Sequence, residues 1–422
     1  MDCTFKKQKA QNTKDSSTIP NAPLILHAEN FNNEYSLVVF DQLAAKLEEW
    51  KQLIPNNIFF SPAFLQLIEE IPPQGIKPFY AIISNPDKQV AILSMQMKEI
   101  DLAESMNMED GFKSASAMQR FTLGVRKRAA GLAKFNTLIC GNVLLTGEYG
   151  FHFADNTILY KDQFTIVETA LNAIQKLLAS NGYSCGPILM KDYYKDKEMS
   201  LNKLDNSKFT EFAVQPNMIL NIREEWNAFE DYLGAMKSKY RVRAKRAFKK
   251  LGDAVIKKEL TVEDIQQHEK RIFDLYKETA TDADFNLFTL PTNYFTILKQ
   301  KLEDKNKIVA YFLDGEMIGY YTIIFNTEYM EAHYLGYDKS KNAEYQIYLN
   351  MLYDLIKEGI DAKANKIQFA RTALEIKSSV GAVPYDMLCY LKHKTSWKNK
   401  ILPKALSFMV PEKEWQPRSP FK

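Results

Sequence analysis

A short apolar segment, Tyr329–Tyr337, carries the side chains best suited to move a proton. It has the pattern of a strand, in which alternate residues face opposite sides of a sheet. Glu331, a candidate substrate-binding residue, and His333 are then predicted on one face and Tyr334 on the other. An imidazole with an ordinary pKa of about 6.5 can take up a proton near neutral pH, and a tyrosine hydroxyl can give one. His333, Tyr334 and Tyr337 are therefore candidate catalytic residues, and packing within the sheet is the alternative role for each.

The strongest charge feature is a basic segment at residues 237–258, in which ten Lys or Arg are opposed only by Asp253. Its apolar residues recur at helical spacing, which predicts a helix with one packed face and a basic remainder. Such a surface is either simply solvated or a docking face for a polyanion: a phosphate-bearing donor, tRNA or anionic lipid headgroups. The candidate cofactor-binding residues on it are Lys239, Arg241 and Arg243.

The composition is that of a globular protein with two or three domains, since 46% of the 422 residues are hydrophobic and 25% are charged. Four scattered cysteines without a CxxC pair favour neither a zinc site nor disulfides, which indicates a reducing compartment. Asp282 and Asp284 lack the glycine and glutamate of a calcium loop, so no metal site is predicted.

The N-terminus has no signal-peptide pattern, and residues 1–24 are predicted to form a polar, flexible tail. No apolar run approaches the ~18 residues that span a bilayer. We therefore expect a cytoplasmic protein and leave peripheral contact with a membrane surface open.

The predicted elements occur twice in nearly the same order. The first half has helices at 41–53, 61–70 and 162–180, and strands at 78–84, 90–99, 135–145, 186–190 and 209–222. The second half has helices at 225–251, 262–279, 294–304 and 343–360, and strands at 308–313, 317–325, 329–337, 366–370, 386–391 and 405–410. This repetition predicts a duplicated α+β unit, with an N-terminal domain at 25–222 and a C-terminal domain at 223–422.

Six segments carry a resemblance that extends over nearly the whole chain after residue 25. They are Phe60–Glu69, Pro78–Ile83, Lys237–Lys250, Val309–Phe325, Tyr329–Ile360 and Arg371–Ala382. Their order resembles the two-domain FemAB-type branch of the GNAT-like N-acyltransferases, including the uncharacterised bacterial acyltransferases grouped with it. The resemblance implies an α+β fold of tandem GNAT-like (acyl-CoA N-acyltransferase) domains, each a mixed central sheet flanked by helices. It also implies that the N-terminal half is largely a scaffold and the C-terminal half is catalytic.

The resemblance further implies a reaction. An acyl or aminoacyl group would move from a thioester or ester donor (acyl-CoA, acyl carrier protein or aminoacyl-tRNA) to an amine on a cell-wall precursor, a lipid or an amino acid. No tightly bound cofactor is implied, and the acyl thioester would be a co-substrate. The loop after the fifth strand would line the acceptor pocket, with Arg371 and Lys377 binding substrate and Glu375 as an alternative base. Tyr345, on the long helix, is a further candidate substrate-binding residue.

One stretch departs from the wider GNAT pattern. Many acetyl-CoA users place a glycine-rich loop before the long helix, and its N–H groups cradle the donor's diphosphate. Residues 337–343 contain no glycine, although Lys339 and Lys341 remain candidate phosphate ligands as point charges. This departure keeps a second interpretation open: a catalytically inactive GNAT-like protein that uses its basic helix to hold a polyanionic ligand. We expect no DNA partner, and either a monomer or a dimer.

Overall fold

A computed structural model of the chain describes residues 22–28, 31, 34–101, 134–195, 208–280, 288–395, 399 and 415–422. The predicted tail up to residue 21, Asp282, Asp284 and the predicted strand at 405–410 lie outside these residues. Among the helices described, none combines the length and apolar character that a bilayer crossing requires.

The described strands are β1 (Ile25–Ala28), β2 (Ser36–Phe40), β3 (Ile76–Ser84), β4 (Gln89–Asp101), β5 (Lys134–Cys140), β6 (Phe151–Phe153), β7 (Ile188–Tyr194), β8 (Thr210–Asn221), β9 (Val255–Glu259), β10 (Asn306–Leu313), β11 (Glu316–Phe325), β12 (Tyr329–Tyr337), β13 (Lys366–Gln368) and β14 (Val383–Lys392). The described α-helices are α1 (Leu47–Lys51), α2 (Pro62–Glu70), α3 (Tyr160–Ser180), α4 (Phe229–Ala235), α5 (Ser238–Leu251), α6 (Val262–Ala280), α7 (Tyr294–Leu302), α8 (Lys339–Tyr345), α9 (Ile347–Asp361) and α10 (Leu374–Ser379).

Local chemistry sets several of these boundaries. The Ser61 side chain accepts a hydrogen bond from the Phe64 N–H and caps α2, and Pro62 occupies the first helical turn. Asp314 and Gly315 both have positive φ, as the tight turn between β10 and β11 requires. The helix start and the hairpin predicted at these places are confirmed.

Three predicted elements are corrected. The single helix predicted at 225–251 is two helices, α4 and α5, because Met236 between them has an extended backbone. The helix predicted at 343–360 is interrupted at Gln346, whose left-handed backbone separates α8 from α9. The strand predicted at 135–145 ends at Cys140, and Gly141 follows with φ 135°.

The described strands form one mixed sheet, in the order β1-β2-β3-β4-β5-β7-β14-β8-β13-β12-β11-β10-β9, with β6 paired to β4. In the first half β2 to β5 are antiparallel, and β7 then pairs with β5 in parallel. In the second half β9 to β12 are antiparallel, and β13 then pairs with β12 in parallel. Each half therefore has the same order of four antiparallel strands, a helix and a parallel fifth strand.

The two halves exchange strands at the centre of the sheet. β14, from the end of the chain, pairs with β7 of the first half. β8, from before residue 222, pairs with β13 of the second half, and β8 and β14 pair with each other. The boundary near residue 222 remains a proposal, and the backbone hydrogen bonds cross it in both directions.

Helices cover both faces of the sheet. On β10, Ile308 and Ala310 belong to one core, whereas Val309 and Tyr311 belong to another, as strand alternation requires. The first core lies under α2, α6 and α7 and includes residues of both halves. The opposite face has two separate cores, one under α3 and one under α4, α5 and α9. Helices α6 and α9 therefore lie on opposite faces of the sheet.

Candidate active site

The sheet of the second half opens between β12 and β13. Their parallel pairing ends at Glu331 and Gln368, where β13 stops, while β12 continues to Tyr337. A cavity of about 380 Å³ occupies the gap, and we call it the splay cavity. Tyr276 of α6 lines it from one face of the sheet and Tyr348 of α9 from the other. Residues from both faces of the sheet therefore line the cavity.

A β-bulge turns two neighbouring side chains of β12 into this cavity. Ile323 pairs with Ala332 and Tyr321 with Leu335, so His333 and Tyr334 together face Thr322. The Thr322 hydroxyl accepts a hydrogen bond from the Tyr334 N–H and donates one to the Tyr334 carbonyl, both at 2.9 Å. The predicted alternation, with His333 and Tyr334 on opposite faces, is wrong here because a bulge interrupts the period of two. Both side chains line the cavity and both contact the Tyr294 ring.

His333 is buried and neutral. Its Nε2 lies 2.8 Å from the Tyr294 hydroxyl, and Nδ1 has no hydrogen-bond partner among the described residues. Burial lowers the pKa of His333 from 6.5 to about 3. The expectation of an imidazole that titrates near neutral pH is wrong. In the neutral ring one nitrogen donates and the other accepts, and Nε2 is already paired with Tyr294.

The two candidate acids on β12 are both at the cavity. The Tyr334 hydroxyl donates a hydrogen bond to the Leu144 carbonyl of the first half at 3.3 Å, and burial raises the pKa of this phenol well above 10. Tyr337 stacks on Tyr348 with ring centroids 5.5 Å apart. The Tyr334 hydroxyl therefore stays protonated at neutral pH, as a proton donor requires.

The loop after β13 is held in an unusual backbone shape. Ala370, Thr372 and Ala373 have φ of 55°, 70° and 46°, in the left-handed region that side chains other than glycine disfavour. The buried Lys377 ammonium donates to the carbonyls of Phe369 and Arg371, both at 2.6 Å. Burial lowers the pKa of Lys377 to about 7. Lys377 was predicted to bind substrate; its bonds here are to the loop, which it braces.

Arg371, on this loop, is bound by the first half of the chain. Its guanidinium donates to the fully buried Asp192 carboxylate, which also pairs with Lys191. The Lys191 ammonium donates in addition to the Leu145 carbonyl at 2.6 Å. Burial opposes ionisation of Asp192, but Arg371 and Lys191 outweigh it and lower its pKa. Arg371 remains 24% exposed and lines the splay cavity, as expected for a substrate-binding residue.

Three other predicted residues do not line the splay cavity. Glu331 is buried at the last paired position of β12 and β13, and its Oε2 has no partner among the described residues. Burial raises the pKa of Glu331 well above 4.5. Glu375 is half-exposed and bonded to Arg418 on the outer surface. Tyr345 packs against the core under α9, and the neighbouring Tyr348 takes the place at the cavity.

The glycine-free stretch that was predicted to be a loop is mostly helical. Asp338 caps α8, because its carboxylate accepts hydrogen bonds from the Ser340 N–H at 2.9 Å and the Ser340 hydroxyl at 2.6 Å. Lys339 and Lys341 lie on α8 and do not line the splay cavity. A carboxylate therefore already occupies the helix N-terminus, which is where a diphosphate would otherwise be favoured.

The basic helix borders a separate groove of about 750 Å³. The cations that line this basic groove are Lys239, Arg243, Arg246, Lys250 and Arg418. Arg241 is different, since it donates to the Gly234 and Met236 carbonyls at 3.3 Å. Two short segments contribute to both linings: Gln346 lines the groove and Tyr348 the cavity, while Glu375 lines the groove and Lys377 the cavity.

Sequence reasoning missed Lys191 and Asp192, which bind Arg371, and Tyr294, which binds His333. The only signal for the first pair was a charged dipeptide inside the apolar strand β7. Nothing local marked Tyr294, which begins an ordinary amphipathic helix.

The strand order and the parallel fifth strand of each half define a protein of tandem GNAT-like fold in the α+β class, as the sequence predicted. No protein-family model and no curated protein matches the sequence. The structure is similar to that of FemX, at 10% sequence identity and a TM-score of 0.49, over 81% of this chain and 93% of FemX. It is also similar to L-PGS from Bacillus licheniformis, at 10% identity and a TM-score of 0.45, over 84% of this chain and 98% of that protein. A tandem GNAT protein from the clavulanic acid biosynthesis pathway is similar at 7% identity and a TM-score of 0.45, over 88% of this chain and 98% of the other.

Proposed function

We propose that this chain is an N-acyltransferase that carries out its reaction in the splay cavity of the second half. The acceptor's amine nitrogen attacks the donor's acyl carbonyl carbon and forms a C–N bond. The C–S bond of a thioester, or the C–O bond of an aminoacyl ester, then breaks, and the proton lost by the amine leaves with the thiol or hydroxyl. The observation that carries this proposal is the β12 bulge, since it presents His333 and Tyr334 together to a cavity lined from both faces of the sheet.

Each group at the cavity has a proposed role. The neutral His333, bonded to Tyr294 at 2.8 Å, accepts a hydrogen bond from the attacking amine and orients it. The protonated hydroxyl of Tyr334 or Tyr337 donates to the leaving group. Arg371 holds a carbonyl or carboxylate of a substrate. Because Asp192 of the first half binds Arg371, the first half takes part in the site rather than serving only as a scaffold.

We assign the donor's phosphate groups to the basic groove. Five cations line it, against one carboxylate, Glu375, which Arg418 already neutralises. At the N-terminus of α8, in contrast, the Asp338 carboxylate already accepts the Ser340 N–H. Acyl-CoA, acyl carrier protein and aminoacyl-tRNA all carry such phosphates, and a cell-wall precursor, a lipid or an amino acid can supply the amine.

Donor consumption tests the proposal. Purified protein is mixed with acetyl-CoA, palmitoyl-CoA, acyl carrier protein or aminoacyl-tRNA and a panel of amines, and released thiol or deacylated RNA is measured. We expect one donor class to be consumed in proportion to amide formed. His333→Ala and Arg371→Ala should each lower the rate about 10²-fold, while His268→Ala, half-buried on α6, should not. If no donor is consumed with any amine in the panel, the enzyme proposal is wrong.

Charge reversal in the groove tests the donor-binding part separately. Arg246→Glu with Lys250→Glu should weaken donor binding and flatten its salt dependence, because two phosphate contacts are lost. Lys245→Glu with Lys249→Glu makes the same charge change on the same helix outside the groove, and it serves as the matched control. An equal loss of affinity in both pairs would contradict the assignment to the groove.

The alternative function is a GNAT-like protein that binds a polyanion without turnover. That protein would bind a phosphate-bearing ligand through the basic groove with strong salt dependence, and it would release no thiol and no deacylated RNA. The two assays above therefore separate the two functions.

A further inference from the structure

A second cavity, of about 370 Å³, lies between the two halves of the chain, and we call it the inter-half cavity. Strands β5, β7, β8 and β14 contribute residues to its lining. It shares a wall with the splay cavity, and the residues common to both are Phe288, Tyr334, Ala370, Arg371 and Thr372. A ligand in one cavity therefore lies against the same side chains as a ligand in the other.

The inter-half cavity is lined mainly by aliphatic and aromatic side chains. Ile139 of β5, Leu189 of β7, Val214 of β8 and Leu391 of β14 contribute to its walls. Apolar cavities of this kind stay free of water and take up apolar ligands. The occupant that fits is therefore an apolar group.

The charged residues at this cavity cluster at its shared wall and pair with one another. Lys191 and Arg371 both bind Asp192, so their charges are largely compensated. A ligand with a full charge deep inside would find no free counter-ion among these three. At the shared wall, Arg371 keeps one face toward the splay cavity, and it can donate to a neutral carbonyl.

We infer that the inter-half cavity holds the aliphatic chain of a fatty acyl donor, with the acyl carbonyl at the shared wall beside Arg371 and Tyr334. This inference rests on the proposed function, and it makes the chain an N-acyltransferase for long-chain acyl groups. In an acyl donor the apolar chain begins directly at the carbonyl, and here the apolar lining begins directly at the shared wall. By proportion to a ~150 Å³ cavity that takes up one benzene, the cavity accommodates roughly 15 carbon atoms.

The experiment is isothermal titration of the protein with acyl-CoAs of 2, 4, 8, 12 and 16 carbons and with the corresponding free fatty acids. Affinity should rise about fourfold for each added methylene until the cavity is full. Val214→Phe narrows the cavity and should move the optimum to a shorter chain. Val383→Phe makes the same change at an exposed position of β14 outside both cavities, and it should leave the optimum unchanged. If Val214→Phe does not fold, Leu189→Phe narrows the cavity from β7.

Each outcome decides a different point. A chain-length optimum that Val214→Phe or Leu189→Phe shortens supports the inference. Equal affinity for acetyl-CoA and palmitoyl-CoA overturns it, and turnover of a short donor would then leave the proposed function intact. Chain-length-dependent binding of acyl-CoAs and fatty acids without turnover would remove the proposed function and keep the cavity as a lipid site. An optimum that neither cavity variant moves would place the chain elsewhere and overturn the inference.

Discussion

Burial favours the uncharged form of two titratable side chains of β12, and it does so by opposite changes in pKa. His333 is 9% exposed and Glu331 is 2% exposed. Burial lowers the pKa of His333 and raises that of Glu331, because in each case it disfavours the charged form. In both residues burial therefore favours the neutral form.

The neutral His333 predicts acid-sensitive stability. Its folded-state pKa of about 3 lies below the unfolded value of 6.5, so below pH 6.5 the unfolded chain binds a proton that the folded chain does not. Stability is lost as the pH falls from about 6.5 toward 3, and at pH 4 the loss is of the order of 3 kcal/mol. Urea unfolding of His333→Gln at pH 7, 5.5 and 4 should show a much smaller loss than the wild type. The control is His268→Gln, which should lose as much stability at low pH as the wild type. An equally large loss in His333→Gln would contradict the assignment of the acid sensitivity to His333.

Glu331 predicts the opposite dependence of the free energy of unfolding on pH. Its folded-state pKa is raised, so above the unfolded value of about 4.3 the unfolded chain releases a proton that the folded chain retains. Its contribution to stability is complete at lower pH and is lost as the pH rises toward the folded-state pKa. Glu331→Gln keeps the shape without the titration, and its advantage over the wild type in free energy of unfolding should grow between pH 5 and pH 8. Glu344→Gln, on the exposed surface of α8, should show no such growth.

Two elements build the candidate site: the bulge in β12 and the loop that follows β13. The bulge sets the direction of two side chains, and Thr322 fixes it with two hydrogen bonds to one residue. The loop carries Arg371 in a backbone shape that is unfavourable on its own, and Lys377 compensates by binding two of its carbonyls. Geometry at the site therefore depends on a side chain that does not itself need to touch substrate.

Lys377→Met tests this bracing role. The methionine fills a similar volume but leaves the Phe369 and Arg371 carbonyls without their donor, at a cost of about 2–4 kcal/mol for two buried groups. We expect a lower free energy of unfolding together with weaker donor binding, as in Arg371→Ala. Lys357→Met removes an exposed ion pair from α9 and should change stability by only about 0.5 kcal/mol. Unchanged stability and donor binding in Lys377→Met would contradict the role.

At the scale of the whole molecule, the two halves are tied together by backbone and side chains. β8 and β14 lie side by side between β7 and β13, so each half completes its sheet with strands from across the proposed boundary. One core includes residues of both halves. The Ile58 N–H donates to Asn326 at 3.1 Å, and the Tyr149 and Tyr329 hydroxyls lie 2.8 Å apart. We expect a single cooperative unfolding transition for the described body of the chain.

Asp192→Asn tests the buried ion cluster that joins the two halves. The change leaves Lys191 and Arg371 without their shared counter-charge, which costs about 3–5 kcal/mol when a buried ion pair is broken on one side. The free energy of unfolding should fall by that amount, with one transition retained, and Arg371-dependent donor binding should weaken. The pair of Asp155 and Lys88 is the control, because Asp155→Asn should lower the free energy of unfolding far less. A loss no larger than that of Asp155→Asn would show that the buried ion cluster does not hold the halves together.

The sequence by itself determined the elements and their order. Ser61 and Pro62 begin α2, and Asp314 and Gly315 close the β10–β11 hairpin, because caps and tight turns depend on neighbouring residues. The apolar spacing of α6 and the alternation along β10 likewise indicate their buried faces. From these local patterns the duplicated α+β unit follows, and the resemblance to the FemAB-type branch implies the tandem GNAT-like fold and the position of Arg371 beside a pocket in the second half.

Tertiary structure alone decided what the site residues do. Arg371 binds Asp192 across 179 positions of sequence, and no local pattern encodes a contact of that kind. The bulge at His333 depends on pairing with β11, and the neutrality of His333 and Glu331 depends on burial by several elements at once. The helical conformation of residues 339–345, with Asp338 as the cap, likewise appeared only in three dimensions. Local backbone geometry depends on neighbouring residues. The charge of a site residue, the orientation of its side chain and its accessibility depend on groups that only the folded sheet brings together.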